Sequence, residues 1–440
     1  MKHSLFINTL YKLVCYCCLV SLAGLANADK QIAQNEDANA SKPINTQKTR
    51  RTPAITQRVY KKLEGYFKLV EDKKENDAFS YLLELEKLDN LNSYERALIL
   101  NNLANTYYQI KNYRISIEKF EALIKEDDNP LALELNARFN IAQLYSQLDK
   151  PELVIEKIAL WRQAGGSPTS TKALLLSSTA YYRLKDFTKS ILEINQAIKI
   201  EKSQKRQIKK NWYQMKIASH FELKQIPQVI STLKEVLPIY PKKNYWMQLA
   251  AAYGEIEDRK NQLATLESIY RHNLFTKEAE YISLASLYLN ADLPYKAGQT
   301  LAAGFRLGHI NSDKIQPLRL LAQSWQLAKE FEQARMILEK AAQLTNKGEF
   351  DYRLAQNYFE DEQWEKAILS ADAAIKKGDL KRIDLAYILL GIANFNLRKF
   401  DQAKVAFNLA AKEALSQKSA NQWLQYISAE EKRLSIIEKL

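Results

Sequence analysis

The sequence predicts an all-α chain, a solenoid of about ten helix-turn-helix repeats closed by a C-terminal capping helix. Three observations predict it. Glycine (11) and proline (10) are scarce among 440 residues, and a chain so poor in turn residues is mostly helix. A small residue recurs every 33 to 38 positions through most of the chain. Around each recurrence the apolar residues keep helical rather than strand spacing.

The N-terminus comes first. Lys2, His3 and Lys12 precede the apolar run LVCYCCLVSLAGLA, Leu13 to Ala26. That run is too short to span a bilayer as a lone helix and has the length of a secretory signal core. Ala26-Asn27-Ala28 places small residues where a signal peptidase reads them, so cleavage is expected after Ala28, with residues 1–28 as signal peptide. The alternatives are an uncleaved anchor, and a lipoprotein, which wants a small residue before its modified Cys. Val14, Tyr16 and Cys17 stand there instead. Cys15, Cys17 and Cys18 are the only cysteines. A chain starting at Asp29 therefore has no disulfide, thiolate metal site or cysteine nucleophile, as suits an oxidising compartment. Cleavage takes two lysines and no acid, so the net charge falls from +13 to +11. A basic balance suits nucleic acid, anionic membrane or acidic protein partners. Export disfavours the first, and lysines that merely solvate helix faces are the plain alternative.

Residues 29–54 follow as a tether. DKQIAQNEDANASKPINTQKTRRTP has too few apolar residues to bury a core. Its Lys48-Thr49-Arg50-Arg51 run is a solvated segment or a contact for acidic lipid or protein.

The repeats occupy 55–420. Residues 55–90 read as a degenerate first pair. Small markers then follow at Ala104, Ala142, Ser178, Ala250, Ala285, Ala322, Ala355 and Gly391. Between Ser178 and Ala250 the frame puts Lys216 at the marker, where Trp212 and Met215 match and Lys216 does not. Tyr107, Tyr145, Tyr181, Tyr253 and Tyr288 each stand three residues after a marker. Ala334, Ala367 and Ala403 stand twelve after theirs. A small residue on each of two helices lets them approach closely, and the larger residues close the seam. Each pair keeps two apolar faces, so it must stack on its neighbours. Residues 421–440, beginning NQWLQYISAEEKR, read as a capping helix with a wetter outer face.

This frame resembles the tetratricopeptide repeat. Trp246-Leu249-Ala250-Tyr253 and Leu390-Gly391 with Ala403, Phe407 and Ala410 are its best copies. The resemblance covers about residues 55–440 and implies a right-handed superhelix with a long concave surface for a peptide or partner helix. A narrower resemblance rests on LPIYPKKNYWMQLAAAYGE, LYLNADLPYKAGQTLAAGF and RLAQNYFEDEQWEKAILSADAAIKKGDLKR. These are similar to periplasmic tetratricopeptide proteins encoded beside TonB-type energy-transduction systems in proteobacteria. It implies a periplasmic accessory of a motor complex that drives outer-membrane uptake, with motor components as partners.

The resemblance also implies which residues line the concave wall: those three before, one after and four after each marker. Such positions hold Asn101, Asn105, Tyr108, Tyr213, Met247, Ile282, Tyr352, Gln356, Phe359, Ile388 and Phe395, and the expected groove also takes in Asn140 and Lys172. Asn105, Asn140 and Lys172 match three of five positions of the carboxylate clamp in chaperone-binding relatives. Asn101 and Leu176 stand where that clamp is basic. Tyr352, Phe359, Ile388 and Phe395 are expected to form an exposed apolar strip for a partner, unless facing helices cover them.

Catalytic motifs are absent. GxSxG, HExxH and phosphate-cradling loops do not occur. Gly165-Gly166-Ser167-Pro168 follows no strand and reads as an inter-repeat turn, and the six tryptophans read as packing rather than an aromatic cage. His220, His272 and His309 lie in separate repeats with no ligand at metal spacing. Glu360, Asp361, Glu362 and Glu365 crowd six positions, as a metal or shared-proton site would. The frame puts the first three in the corner between two helices, where acids complement a helix dipole. The reading is a non-enzymatic periplasmic interaction scaffold that needs no cofactor or metal and takes protein or peptide partners, not nucleic acid or a small-molecule substrate. The alternatives are a scaffold of outer-membrane assembly or polysaccharide export, and an envelope enzyme, for whose catalytic insert the even repeat lengths leave no room.

Overall fold

The computed structural model describes residues 54–437. The expected signal peptide, the tether as far as residue 53 and the last three residues lie outside the described residues. Every regular element among those described is a helix. The chain divides between Ile256 and Glu257 into two compact units.

The first unit pairs α1 (Gln57–Glu71) with α2 (Glu75–Glu86), α3 (Ser93–Gln109) with α4 (Tyr113–Lys125), and α5 (Leu131–Gln147) with α6 (Pro151–Gln163). It continues with α7 (Thr171–Arg183) and α8 (Phe187–Ser203), then α9 (Lys210–Glu222) and α10 (Ile226–Val236), and ends with α11 (Lys243–Glu255). The second unit opens on α12 (Arg259–Arg271). It then pairs α13 (Glu278–Asn290) with α14 (Pro294–Arg306), α15 (Ile315–Leu327) with α16 (Phe331–Gln343), α17 (Glu349–Glu360) with α18 (Trp364–Lys377), and α19 (Ile383–Asn396) with α20 (Phe400–Ala410). A longer helix, α21 (Gln417–Ile437), closes it, starting ahead of the expected boundary at residue 421. In each unit successive helices pack on one another, so the core is a row of small clusters.

The seams follow from residue size. Ala104, Ser178, Ala285, Ala322 and Ala355 are fully buried, as are Ser116, Ser190, Ala297, Ala334 and Ala367 twelve positions later; Ala142 and, twelve after Gly391, Ala403 are fully buried too. The approach is close enough for Ser116 Oγ to donate to the Ala104 carbonyl at 2.7 Å and for Ser178 Oγ to donate to the Ser190 carbonyl at 2.9 Å. At Gly391 an added Cβ would lie 2.6 Å from the Phe407 ring, so the side chain is absent because the partner ring takes its place.

The tight turns inside the pairs are made without glycine. Lys73, Lys111, Asp149, Lys185, Lys224, Asp292, Lys329, Glu362 and Arg398 all adopt φ between 54° and 61°. A left-handed conformation at a residue with a Cβ costs about 1–2 kcal/mol, and the packing of both helices holds it. This is how a chain with 11 glycines turns so often.

The turns also correct the expected register of the fifth pair. Elsewhere the left-handed residue lies seven positions after the marker, as Lys111 does after Ala104 and Glu362 after Ala355. Lys224 therefore assigns the marker to Ile217, not Lys216. Burial agrees: Ile217 is 4% exposed, and Val229, Leu233 and Val236 are buried at the positions twelve, sixteen and nineteen after it. Counting from Lys216 would have reached Gln228, Thr232 and Glu235. A branched side chain thus stands where the other seams hold a small residue. A small gap lined by Ile217, Phe221, Val229 and Gln248 opens beside it.

Candidate functional site

The candidate surface is the face of the first helices of the pairs. In the first unit it carries Asn101, Asn105 and Tyr108 on α3, Asn140 on α5, Lys172 on α7 and Met247 on α11. Asn105, Tyr108 and Lys172 are exposed, while Asn101, Asn140 and Met247 are half-buried. Tyr108 leans on Tyr113 across the turn, with ring centroids 5.9 Å apart. One helix supplies Asn101, Asn105 and Tyr108 at successive turns.

Tyr213 does not belong to this surface. It is fully buried in the cluster that holds Trp212, Leu233 and Tyr245. Its hydroxyl points at Glu235 Oε1, 3.4 Å away. Burial first, then the charge of Glu235, pushes that hydroxyl up to about 12. The cause is the register slip: Tyr213 is four residues before the true marker, the position of buried Leu100, Leu174 and Tyr281 in other pairs. The residue three before it is Gln214, half-buried, whose Oε1 is enclosed without a hydrogen-bond partner. The signal that could have found it was the apolar spacing of α10, which is in phase with Ile217.

In the second unit the surface carries Ile282 on α13, Tyr352, Gln356 and Phe359 on α17, and Ile388 and Phe395 on α19. All six are half-buried, so the strip of Tyr352, Phe359, Ile388 and Phe395 is not the open apolar surface expected. Tyr352 and Phe359 pack against the cluster of Ala355, Ala371 and Leu390. Gln356 Nε2 donates to the Tyr352 hydroxyl at 3.3 Å, and burial raises that hydroxyl above the usual tyrosine range. The Phe359 ring lies 5.2 Å from Trp364, edge on. Phe395 is enclosed by Phe400, Trp423 and Tyr426, at 5.7, 5.6 and 5.4 Å. Trp423 in turn stacks on Phe407 at 5.5 Å. The capping helix thus covers this end of the strip and leaves Tyr426 exposed (54%). Sequence reasoning missed Tyr426, because only its place beside Phe395 singles it out.

The acidic corner is structural. Arg335 on α16 is 6% exposed. It donates to Asp361 at 2.8 Å and Asn357 at 3.3 Å, pairs with Glu332 and covers the Tyr358 ring at 5.3 Å. The Arg335 hydrogen bond holds the Asp361 carboxyl below the usual range. Glu362 takes the left-handed turn position, and Glu360 and Glu365 are exposed. Glu360 ends α17 rather than lying in the turn. Among the described residues no three His, Cys, Asp or Glu side chains form a metal-ligand group. The histidines have local partners: His220 with Gln225 at 2.8 Å, His272 with the Ser268 carbonyl at 2.8 Å, and His309 with the Tyr281 hydroxyl at 2.9 Å.

No family model matches the chain, and no curated protein matches it. Solved structures do. The chain is similar to the crystal structure of MamA protein, at 17% identity and a TM-score of 0.34, over 40% of this chain and 93% of that one. It is similar to a tetratricopeptide repeat protein from Parabacteroides merdae, at 12% identity and 0.30, over 59% and 99%. It is also similar to the TPR2AB domain of yeast Sti1 in a complex named with pHSP90, at 13% identity and 0.32, over 67% and 98%. The assignment of all-α helix-pair repeats stands on the pairs, seams and turns of the chain itself.

Proposed function

We propose that this chain is a non-enzymatic interaction scaffold of the cell envelope, exported through its N-terminal signal, which holds a peptide or partner helix on the first-helix face of its repeats. One observation carries the reading. Asn105 and Lys172 present polar side chains on first helices, exposed and with no hydrogen-bond or ion-pair partner among the described residues. The fold does not use them, and exposed polar groups on a rigid scaffold are the usual means of gripping a chain segment. The carboxylate-clamp reading of Asn105, Asn140 and Lys172 is the specific form of this proposal, with a partner's C-terminal carboxylate as ligand. Its two departures, Asn101 and Leu176, leave Lys172 as the one cation. The finer placement, in the periplasm beside a TonB-type motor, rests on the resemblance of the three repeat segments.

The test is site-specific photo-crosslinking in cells. A crosslinker at 105 or 172 should trap one defined envelope protein, while one at exposed Leu369 on α18 should not. Equal trapping from both faces, or none from the first, overturns the scaffold reading. Fractionation of the same cells tests the location: recovery of the full-length chain in the cytoplasm overturns export.

A further inference from the structure

The excess charge of the chain is concentrated. Residues 199–243 hold eleven Lys and Arg against three Glu, a net +8 of the chain's +13. All eleven cations but Lys199, Lys216, Lys224 and Lys234 lie at or beside the turns joining α8 to α9 and α10 to α11. These turns are neighbours, since the Tyr240 hydroxyl donates to the Ile208 carbonyl at 2.9 Å. The local acids are already used. Glu201 accepts a bidentate pair from Arg206, at 2.8 and 3.0 Å. Glu235 pairs with Lys202 and lies 4.0 Å from Lys216. Glu222 is at the far end of α9. That leaves Lys205, Lys209, Lys210 and Lys242 without an acidic partner among the described residues. Exposed Ile239 lies in the second of these turns. Neither α9 nor α11, whose N-terminal ends face this edge, carries an acid in its first turn, so the helix dipoles add to the positive potential.

We infer that this edge is a second docking surface, distinct from the first-helix face, and that it takes an acidic peptide segment of a partner protein. Four ammonium groups on flexible stems attract carboxylates as point charges without demanding one geometry. That suits a run of Asp and Glu better than a single phosphate, which favours the planar fork of arginine. Charge also argues against a membrane. Helix direction reverses at every turn, so the α4–α5 turn lies on the same edge of the unit. It presents exposed Asp127 and Asp128 without ion-pair partners. A planar anionic surface laid along the edge would meet these acids, whereas a peptide spanning two turns would not.

The test is fluorescence anisotropy of the full mature chain with a labelled glutamate-rich peptide, at low and high salt. The variant is Lys205→Glu with Lys209→Glu and Lys242→Glu. Residues 209 and 242 precede helix starts, where an acid is favourable, and circular dichroism checks the fold. The control carries the same charge change on the opposite edge, at Lys111, Lys185 and Lys224. The edge variant should weaken the peptide by about tenfold or more and flatten the salt dependence, with the control near wild type. Equal loss in both variants, or no binding by the wild type at low salt, overturns the inference. So does the edge triple abolishing co-sedimentation with phosphatidylglycerol vesicles while the peptide does not bind.

Discussion

Arg335 Nη1 donates to Asp361 Oδ2 at 2.8 Å, from the second helix of one pair to the turn of the next. This contact decides what the cluster of acids around position 361 does, since a carboxylate gripped by a buried guanidinium is not waiting for a metal. Arg335→Ala would leave Asn357 Oδ1 without its donor and Asp361 with only Gln363 Nε2, and would remove one of the two cations over the Tyr358 ring. Hydrogen bonds to charged groups are worth about 1.5–3 kcal/mol each, so unfolding should become easier by about 2 kcal/mol. Urea denaturation measures it, and a change within error would show that the pair is merely surface.

A second carboxylate makes the capping region sensitive to acid. Asp384 is buried. It accepts from Arg382 Nε at 2.9 and 3.1 Å, and Ser416 Oγ donates to it at 2.6 Å. The Arg382 hydrogen bonds, the largest influence, bring it down to about 2 from 3.8. A depressed folded value stabilises above the unfolded value, and the contribution is lost as pH falls through the folded one. The link from α19 to the loop before α21 should therefore weaken between about pH 4 and pH 2. Pepsin digestion across that window should release α21 first. Asp384→Asn should remove the step and loosen α21 at neutral pH, and a step that survives in this variant would place the titrating group elsewhere.

Ile217 and Lys216 test the register. Ile217→Ala removes a buried branched side chain beside an existing gap and should cost about 2–4 kcal/mol. Lys216, half-buried, has its ammonium drawn below the ordinary lysine range by burial, so Lys216→Ala should cost little. The reverse order in denaturant titrations would restore the original frame.

The same pair shows how much of this chain was legible. The helix pairs were readable because most seams repeat one size rule, small against small, from Ala104 with Ser116 to Gly391 with Ala403. Where Ile217 breaks that rule, the first helix alone misplaced the frame by one residue and carried Tyr213 onto the surface. The second helix, with Val229, Leu233 and Val236 in phase, held the missing signal. The apolar strip failed for another reason. Whether Phe395 is open depends on Trp423 and Tyr426 of α21, about thirty residues on. A repeat frame says which face a side chain occupies, not what later chain lies across it. The acidic corner was readable because Tyr358 and Trp364 bracket it, yet Arg335 belongs to another pair and lay outside that frame.

The candidate faces of the two units, each taken by itself, should separate stability from capture. Tyr352→Ala and Phe359→Ala remove half-buried rings that pack on Ala355, Ala371 and Leu390. Their loss should cost stability, by about 2 kcal/mol or more each as partly buried aromatic truncations, whatever it does to a partner. Asn105→Ala and Lys172→Glu remove exposed groups with no partner in the fold, so the melting temperature should stay within about a degree or two, as surface substitutions do. If a carboxylate-bearing segment is held there, Lys172→Glu puts a like charge against it and capture should fall by about tenfold or more. Crosslinking yield from position 105 and melting curves of the same preparations measure both quantities. Capture that survives Lys172→Glu but fails with Phe359→Ala at unchanged stability would move the grip to the second unit.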